Sequence, residues 1–367
     1  NGGAGPIDGE VWIDDIRLDG AVRDPGAAAN LTLDVASDVL SASVSYANQG
    51  SVFRQLTNDA SYVAAGDLSL NSRAQLGRML PASWGMDVPI SVSHISSART
   101  PSFLDRSDVR AASLDGLRDS GAGATSIGIR ISKQTPSASP WIGLVADATT
   151  LSFGYEAAHS NTITTRNESG GYRGALEYDR QIGRRDIDIL PGFVEDALRA
   201  IAPAAIERSA FFQRLLSGRL RWTPQRLGFG TSYSDANAKA WRYTSILTDT
   251  SDSALKPIES PRRRLDNNAQ IGFAPFSSLT ANLSLRSGRD LLDPEQATQQ
   301  ALARQALRDA RTSFAGTDIG WETSRSLTST MSFNPDVANW IRPTYSYTNR
   351  YQTNRDPSYF EIESEDG

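Results

Sequence analysis

The 367-residue chain has no cysteine, a formal net charge of −5, 39% hydrophobic residues and 29 glycines. That composition excludes a disulfide framework, Fe–S clusters and thiolate zinc sites, and Arg184-Arg185 and Arg262-Arg263-Arg264 are basic islands rather than the basic face that nucleic-acid binding needs. No window approaches the ~18 consecutive apolar residues of a transmembrane helix, which leaves open a barrel, whose strands need only every second residue to be apolar.

The first segment with a pattern, Glu10-Val11-Trp12-Ile13-Asp14-Asp15-Ile16-Arg17-Leu18, predicts a strand closed by Asp19-Gly20. Val11 and Ile13 fall on a different face from Ile16 and Leu18, so a bulge is expected near Asp14-Asp15. Adjacent aspartates point to opposite faces and no ligand series follows them, which argues against calcium. From Asn30 alternation takes over: Leu31, Leu33 and Val35 oppose Asn30, Thr32 and Asp34, and Leu40, Ala42, Val44 and Tyr46 oppose a run of serines.

Residues 66–103 predict a hairpin. Its first strand, Asp67 to Leu76, sets Leu68, Leu70, Ser72, Ala74 and Leu76 on one face; a turn from Gly77 to Gly85 contains Pro81 and Trp84; the return strand runs from Asp87 to Ser93. About ten alternating residues, a turn edged by an aromatic and a returning strand form the signature of a membrane-spanning β-hairpin, with a hairpin of a soluble β-sandwich as the alternative.

The pattern recurs in about a dozen segments. Ile127, Ile129 and Ile131 alternate with Ser126, Gly128 and Arg130, and Leu151, Phe153 and Tyr155 with Ser152, Gly154 and Glu156. Tyr172, Gly174, Leu176 and Tyr178 oppose Arg173, Glu177 and Asp179; Leu279, Ala281, Leu283 and Leu285 oppose Ser278, Thr280, Asn282 and Ser284. Leu220 and Trp222, Leu227 to Tyr233, Ile271 and Phe273, Ile319 and Trp321, Leu327 to Phe333 and Tyr345 to Tyr351 complete the set. The polar faces mix Arg, Asn, Gln, Glu and Ser, as a wet interior would, and Trp84, Trp141, Trp241 and Trp340 fall near strand ends, where an interfacial aromatic belt belongs. Two regions have helical spacing instead: 193–216, interrupted at Pro203, and 294–312, with Pro294 in its first turn.

Catalytic chemistry finds no foothold. His94 and His159 lack a partner at metal-ligand spacing and read as loop-proximal polar residues. Gly121-Ala122-Gly123 and Gly228-Phe229-Gly230 lack the strand-to-helix context of a phosphate loop, there is no Gly-x-Ser-x-Gly elbow, and Asp186 and Asp188 read as solvated. The expectation is a protein that is not an enzyme, with no catalytic, cofactor or metal residues.

A family resemblance rests on the colinear order of several short motifs. Gly9-Glu10-Val11-Trp12 with Ile16-Arg17-Leu18, the turn Pro81-x-x-Trp84-Gly85 with Pro89, the segment Thr100-Pro101-Ser102-Phe103 to Val109, and Tyr172-Arg173-Gly174-x-Leu176-x-Tyr178 together resemble the SprA/Sov family. These are the giant outer-membrane translocons of type IX secretion and gliding motility. The "IDDIRL" strand on its own also resembles the last strand of a jelly-roll carbohydrate-binding module. The translocon resemblance implies an all-β fold, an antiparallel transmembrane β-barrel segment in the outer membrane of a Gram-negative bacterium, with short helices in extramembrane loops. It further implies passage of folded cargo proteins, a PorV-like shuttle barrel and a periplasmic plug protein as partners, contact with outer-membrane lipids, and no cofactor and no nucleic acid. On this view residues 1–20 end a periplasmic-side β domain, residues 21–367 belong to the barrel, and the chain is a fragment of a longer protein. The alternatives are a general outer-membrane porin or receptor barrel, and a secreted carbohydrate-binding β-sandwich.

Overall fold

Alternation at a period of two gives extended backbone, and extended segments joined by turns pair with their neighbours in sequence. The computed structural model describes residues 25–54, 57, 60–104, 107–183, 186–188, 219–221, 223–249, 252, 255–335 and 342–355. Its main sheet contains twelve strands in strict chain order and a thirteenth, the two-residue strand Met86–Asp87, paired off this path with Ser132 and Lys133. The twelve are β1 (Ala28–Ala36), β2 (Leu40–Gln49), β3 (Val63–Gln75), β4 (Pro89–Pro101), β5 (Ser120–Lys133), β6 (Thr149–Asn161), β7 (Thr165–Gln181), β8 (Arg226–Arg242), β9 (Ile258–Phe276), β10 (Leu279–Asp290), β11 (Trp321–Phe333) and β12 (Tyr345–Asn354). Every neighbouring pair is antiparallel. The fold is therefore all-β and antiparallel; within the described residues β1 and β12 are its two outer strands and do not pair with each other.

The predicted hairpin at residues 66–103 is present as β3 and β4, and both strands run further than alternation alone suggested. That extension relocates both histidines. His94 lies inside β4 with Nδ1 2.8 Å from Thr125 Oγ1, and His159 lies inside β6, so neither is loop-proximal. The ring of His159 crosses the position a Cβ would occupy on Gly123, its partner in β5, which is why that strand carries glycine there. Arg262, Arg263 and Arg264 are within β9 and so point to alternating faces.

Among the described residues three short α-helices interrupt the meander: α1 (Pro140–Val145), α2 (Pro294–Ala297) and α3 (Ala301–Ala310). The helix expected over 294–312 is thus split. Thr298 is extended (φ −151°, ψ 151°), and its hydroxyl accepts from the Gln300 N–H at 3.3 Å, a local alternative to continuing the helix. Asp186–Asp188 pairs with Arg219–Arg221 as a small separate ribbon. The expected strand over 10–18 with Gly9, Trp12 and Arg17, the helical region 193–216, Trp222 and Trp340 lie outside the described residues.

No second sheet covers this one among the described residues. Their buried apolar side chains are Ala111, Ala274, Ala303, Leu307 and Trp321, far too few for a sandwich core. Ala303 and Leu307 come from α3, which packs near β11. Trp321, expected within a strand, is the first residue of β11.

Candidate functional surfaces

Residues paired across an antiparallel ladder share a face, so the register assigns every strand residue to one of two surfaces. One carries a broad apolar band. The ladder through Ile90 joins Ile129, Phe153, Gly174, Tyr233 and Leu265; the ladder through Tyr178 joins Phe229, Ala269, Leu285, Leu327 and Tyr351. Leu31, Leu33 and Val35 extend it through Tyr46, Val44 and Ala42 to β3. These side chains are open to their surroundings: Leu31 is 63% exposed, Phe153 55% and Tyr347 58%. A contiguous patch of this extent is far beyond what a soluble monomer leaves uncovered.

The apolar band does not follow the ladders. The ladder through Val92 runs through Ile127, Tyr155 and Tyr172, then reaches Asp235 and Arg263. The band therefore slips by about one residue per strand. At about 3.3 Å rise per residue and 4.8 Å between strands, that slip is a strand tilt of roughly 35° to the band's normal. Along single strands the band measures roughly 20–26 Å, as from Tyr172 to Tyr178 or from Leu265 to Phe273.

One margin of the band is marked by tyrosine hydroxyls and charges. Asp235 Oδ2 accepts from Arg263 Nε at 3.0 Å, from the Tyr233 hydroxyl at 3.2 Å and from the Tyr172 hydroxyl at 3.3 Å. Beyond it on the same face come Arg166, whose guanidinium lies 5.4 Å from the Trp241 ring centroid and donates to Glu168, and the Lys239–Glu259 ion pair at 3.3 Å. Glu322 is held there by Ser287 Oγ at 2.8 Å and Arg325 Nε at 2.9 Å.

The opposite face is polar and built on small residues. Ser91, Ser126, Gly128, Ser152, Gly154 and Ser234 floor a trough of about 1040 Å³ whose sides carry Arg73, Arg130, Arg173 and Arg262. Cross-strand ion pairs lie on this face: Arg99 Nη2 donates to both carboxylate oxygens of Asp67 at 2.9 and 3.0 Å, Arg226 Nε donates to Asp179 at 2.9 Å, and Arg173 stands 3.6 Å from Glu156. Their side chains are 44–71% exposed, so these contacts place charges more than they stabilise the fold.

The residues singled out by sequence fall into three groups. Pro81 precedes a 3-10 turn over Ala82–Trp84, with the Trp84 N–H donating to the Pro81 carbonyl at 2.9 Å. Gly85 closes that turn in the left-handed region (φ 59°), and a Cβ there would lie 1.5 Å from Thr135 Oγ1. Pro89 is the first residue of β4 and Pro101 the last, strand-end positions that tolerate a missing N–H. Tyr172, Gly174 and Tyr178 stand on the apolar face and Arg173 on the polar one; Gly174 leaves room beside Phe153. The motifs are therefore not brought together into one site.

Alternation did not reveal how the loops join. At one end, the loops 102–119 and 243–257 are tied by Arg118, which donates to the Ser245 carbonyl, pairs with Asp252 and lies 3.9 Å from the Tyr243 ring centroid. At the other end, loops 76–88 and 134–148 meet through the Gln134 N–H and the Gly85 carbonyl at 2.8 Å. In that second loop Asp147 accepts from the Ser137 hydroxyl at 2.6 Å and its N–H at 2.8 Å, with Lys133 Nζ at 3.3 Å; these contacts, Ser137's first, hold the Asp147 carboxyl below its ordinary pKa. Among the described residues no group of His, Asp and Glu side chains is arranged to hold a metal, and no helix is long and apolar enough to cross a membrane. Scans against family models and curated proteins find no match for this chain.

Proposed function

We propose that this chain is a stretch of wall of an outer-membrane β-barrel, of the SprA/Sov type, that conducts proteins across the membrane. The observation that carries the wall reading is the oblique apolar band, which supports strands tilted through a lipid layer about as thick as the band. The apolar face meets lipid; the polar, arginine-flanked trough faces a hydrated conduit. Closure into a barrel would pair the outer strands β1 and β12 with further strands and satisfy their backbone groups, which hydrocarbon cannot do. The export role, the cargo, the PorV-like shuttle barrel and the periplasmic plug come from the motif resemblance, carried within the described residues by Pro81, Trp84, Gly85, Pro89, Pro101 and the Tyr172–Tyr178 segment.

A porin or receptor barrel has the same two faces, and only transport of protein separates it from a translocon. The carbohydrate-binding sandwich is disfavoured by how few apolar side chains are buried among the described residues. Two measurements test the proposal. In a bilayer folding assay Leu70→Arg should lose about 2–4 kcal/mol while Arg73→Leu loses little; equal tolerance would overturn the facing. Cysteines at Asn71 and Asn282, both on the polar face, should cross-link to cargo in transit, and failure at these and neighbouring positions in a folded barrel would remove the export role.

A further inference from the structure

The helix α1 carries large apolar side chains that stand exposed among the described residues. Trp141 is 80% exposed, Val145 60%, Ile142 56% and Leu144 41%. What fixes the helix is its backbone. The Leu144 carbonyl accepts from the Tyr178 hydroxyl at 3.1 Å, the Gly143 carbonyl from Arg180 Nη1 at 2.8 Å and the Val145 carbonyl from Thr149 Oγ1 at 2.6 Å. Tyr178 and Arg180 both stand on the apolar face, paired with Phe229 and Leu227, so α1 is tethered at the end of the apolar band. Asp147, Lys133 and Ser137 satisfy one another at the base of the same loop. Polar groups are thus consumed inside the loop, and the large apolar side chains are left facing outward.

We propose that α1 is an interfacial anchor that beds Trp141, Ile142, Leu144 and Val145 in the headgroup–acyl boundary of a phospholipid bilayer and so sets the depth of the wall; this rests on the membrane reading above. Continuity with the apolar band favours lipid as the occupant, because the surface that α1 prolongs would already be lipid-covered. The side-chain chemistry agrees. An indole combines a large apolar body with one N–H donor, the combination suited to the boundary between acyl chains and ester carbonyls. Trp84, 56% exposed in the adjoining loop, adds a second indole at the same end.

The test uses the full chain reconstituted in phosphatidylcholine vesicles whose lipids are brominated either near the carbonyl end or near the methyl end of the acyl chain. The emission difference between the parent and Trp141→Phe isolates Trp141, and Phe153→Trp supplies a mid-band reference. Quenching of Trp141 should be about twofold stronger with the shallow bromines than with the deep ones, and the order should reverse for Phe153→Trp. A quenched mid-band reference with an unquenched Trp141 overturns the anchor and leaves the wall reading standing. Stronger quenching of Trp141 by deep bromines also overturns an interfacial position. No quenching at either site overturns both.

Discussion

At one end of the sheet, Arg118 joins two loops through a carboxylate, a backbone carbonyl and an aromatic face, with only 11% of its side chain exposed. At the other end, two loops meet through a backbone hydrogen bond and present Met79, Trp84, Trp141, Ile142, Leu144 and Val145 outward. The first junction is self-sufficient in water, because its charges are shielded and its donors satisfied. The second satisfies its polar groups among themselves and leaves its apolar side chains exposed, the arrangement that the proposed bilayer contact would cover. Loops of similar length on one sheet are therefore built in opposite ways, one around its charges and one around its exposed apolar side chains.

The largest effect should come from breaking the backbone junction at the apolar end. Gly85→Val places a β-branched residue at φ 59° and drives its Cβ into Thr135, at a cost of about 3 kcal/mol. Denaturant unfolding of the reconstituted protein would measure it, and an unchanged midpoint would remove Gly85 from the account. At the clamped end, Arg118→Ala leaves the Ser245 carbonyl without its side-chain donor and should cost about 1–3 kcal/mol. The loss should appear as faster hydrogen exchange at the Thr248 N–H, which donates to the Gly116 carbonyl, with exchange in loop 134–148 unchanged. Equal acceleration in both loops would show that the two ends are not independent.

Acid should loosen both ends more gently. The Asp252 carboxyl is lowered by the Asp249 N–H and then by Arg118, and Asp147 by Ser137 and then Lys133. A carboxyl with a depressed folded pKa contributes stability that is complete above its unfolded pKa, about 4, and is lost as pH falls through the folded value. Loop exchange rates should thus be flat from neutral pH to about pH 5 after correction for intrinsic chemistry and rise below about pH 4. Asp147→Asn should remove that rise from loop 134–148 alone. The smallest effect is expected for Lys239→Ala: its ion pair with Glu259 is 41% and 49% exposed, and such pairs contribute at most about 1 kcal/mol. Thermal unfolding should barely shift.

Much of the architecture was legible beforehand. The faces of β1 to β12 follow from alternation such as Leu279-x-Ala281-x-Leu283-x-Leu285, and the hairpin at 66–103 was placed correctly because Pro81 and Gly85 interrupt the pattern between two periodic runs. Strand ends were not legible. Past Ser93, β4 continues as His94-Ile95-Ser96-Ser97-Ala98, whose small and polar residues lack apolar contrast, so His94 reads as loop-proximal; past Tyr155, β6 continues as Glu156-Ala157-Ala158-His159 with the same lack of contrast. Likewise Pro294 announced a helix start, but the break at Thr298 depends on a hydroxyl contact that propensity does not carry.

What the sequence determined by itself is the two-faced character of the sheet, because side-chain alternation is a property of extended backbone and needs no partner. Only the tertiary structure decided the tilt of the apolar band, which rests on strand register and so on which residues of separate segments meet. It also decided that Gly85 serves the neighbouring loop and that α1 is tethered to the apolar face by Tyr178 and Arg180. Those contacts join residues distant in sequence, and no periodicity within a single segment encodes them.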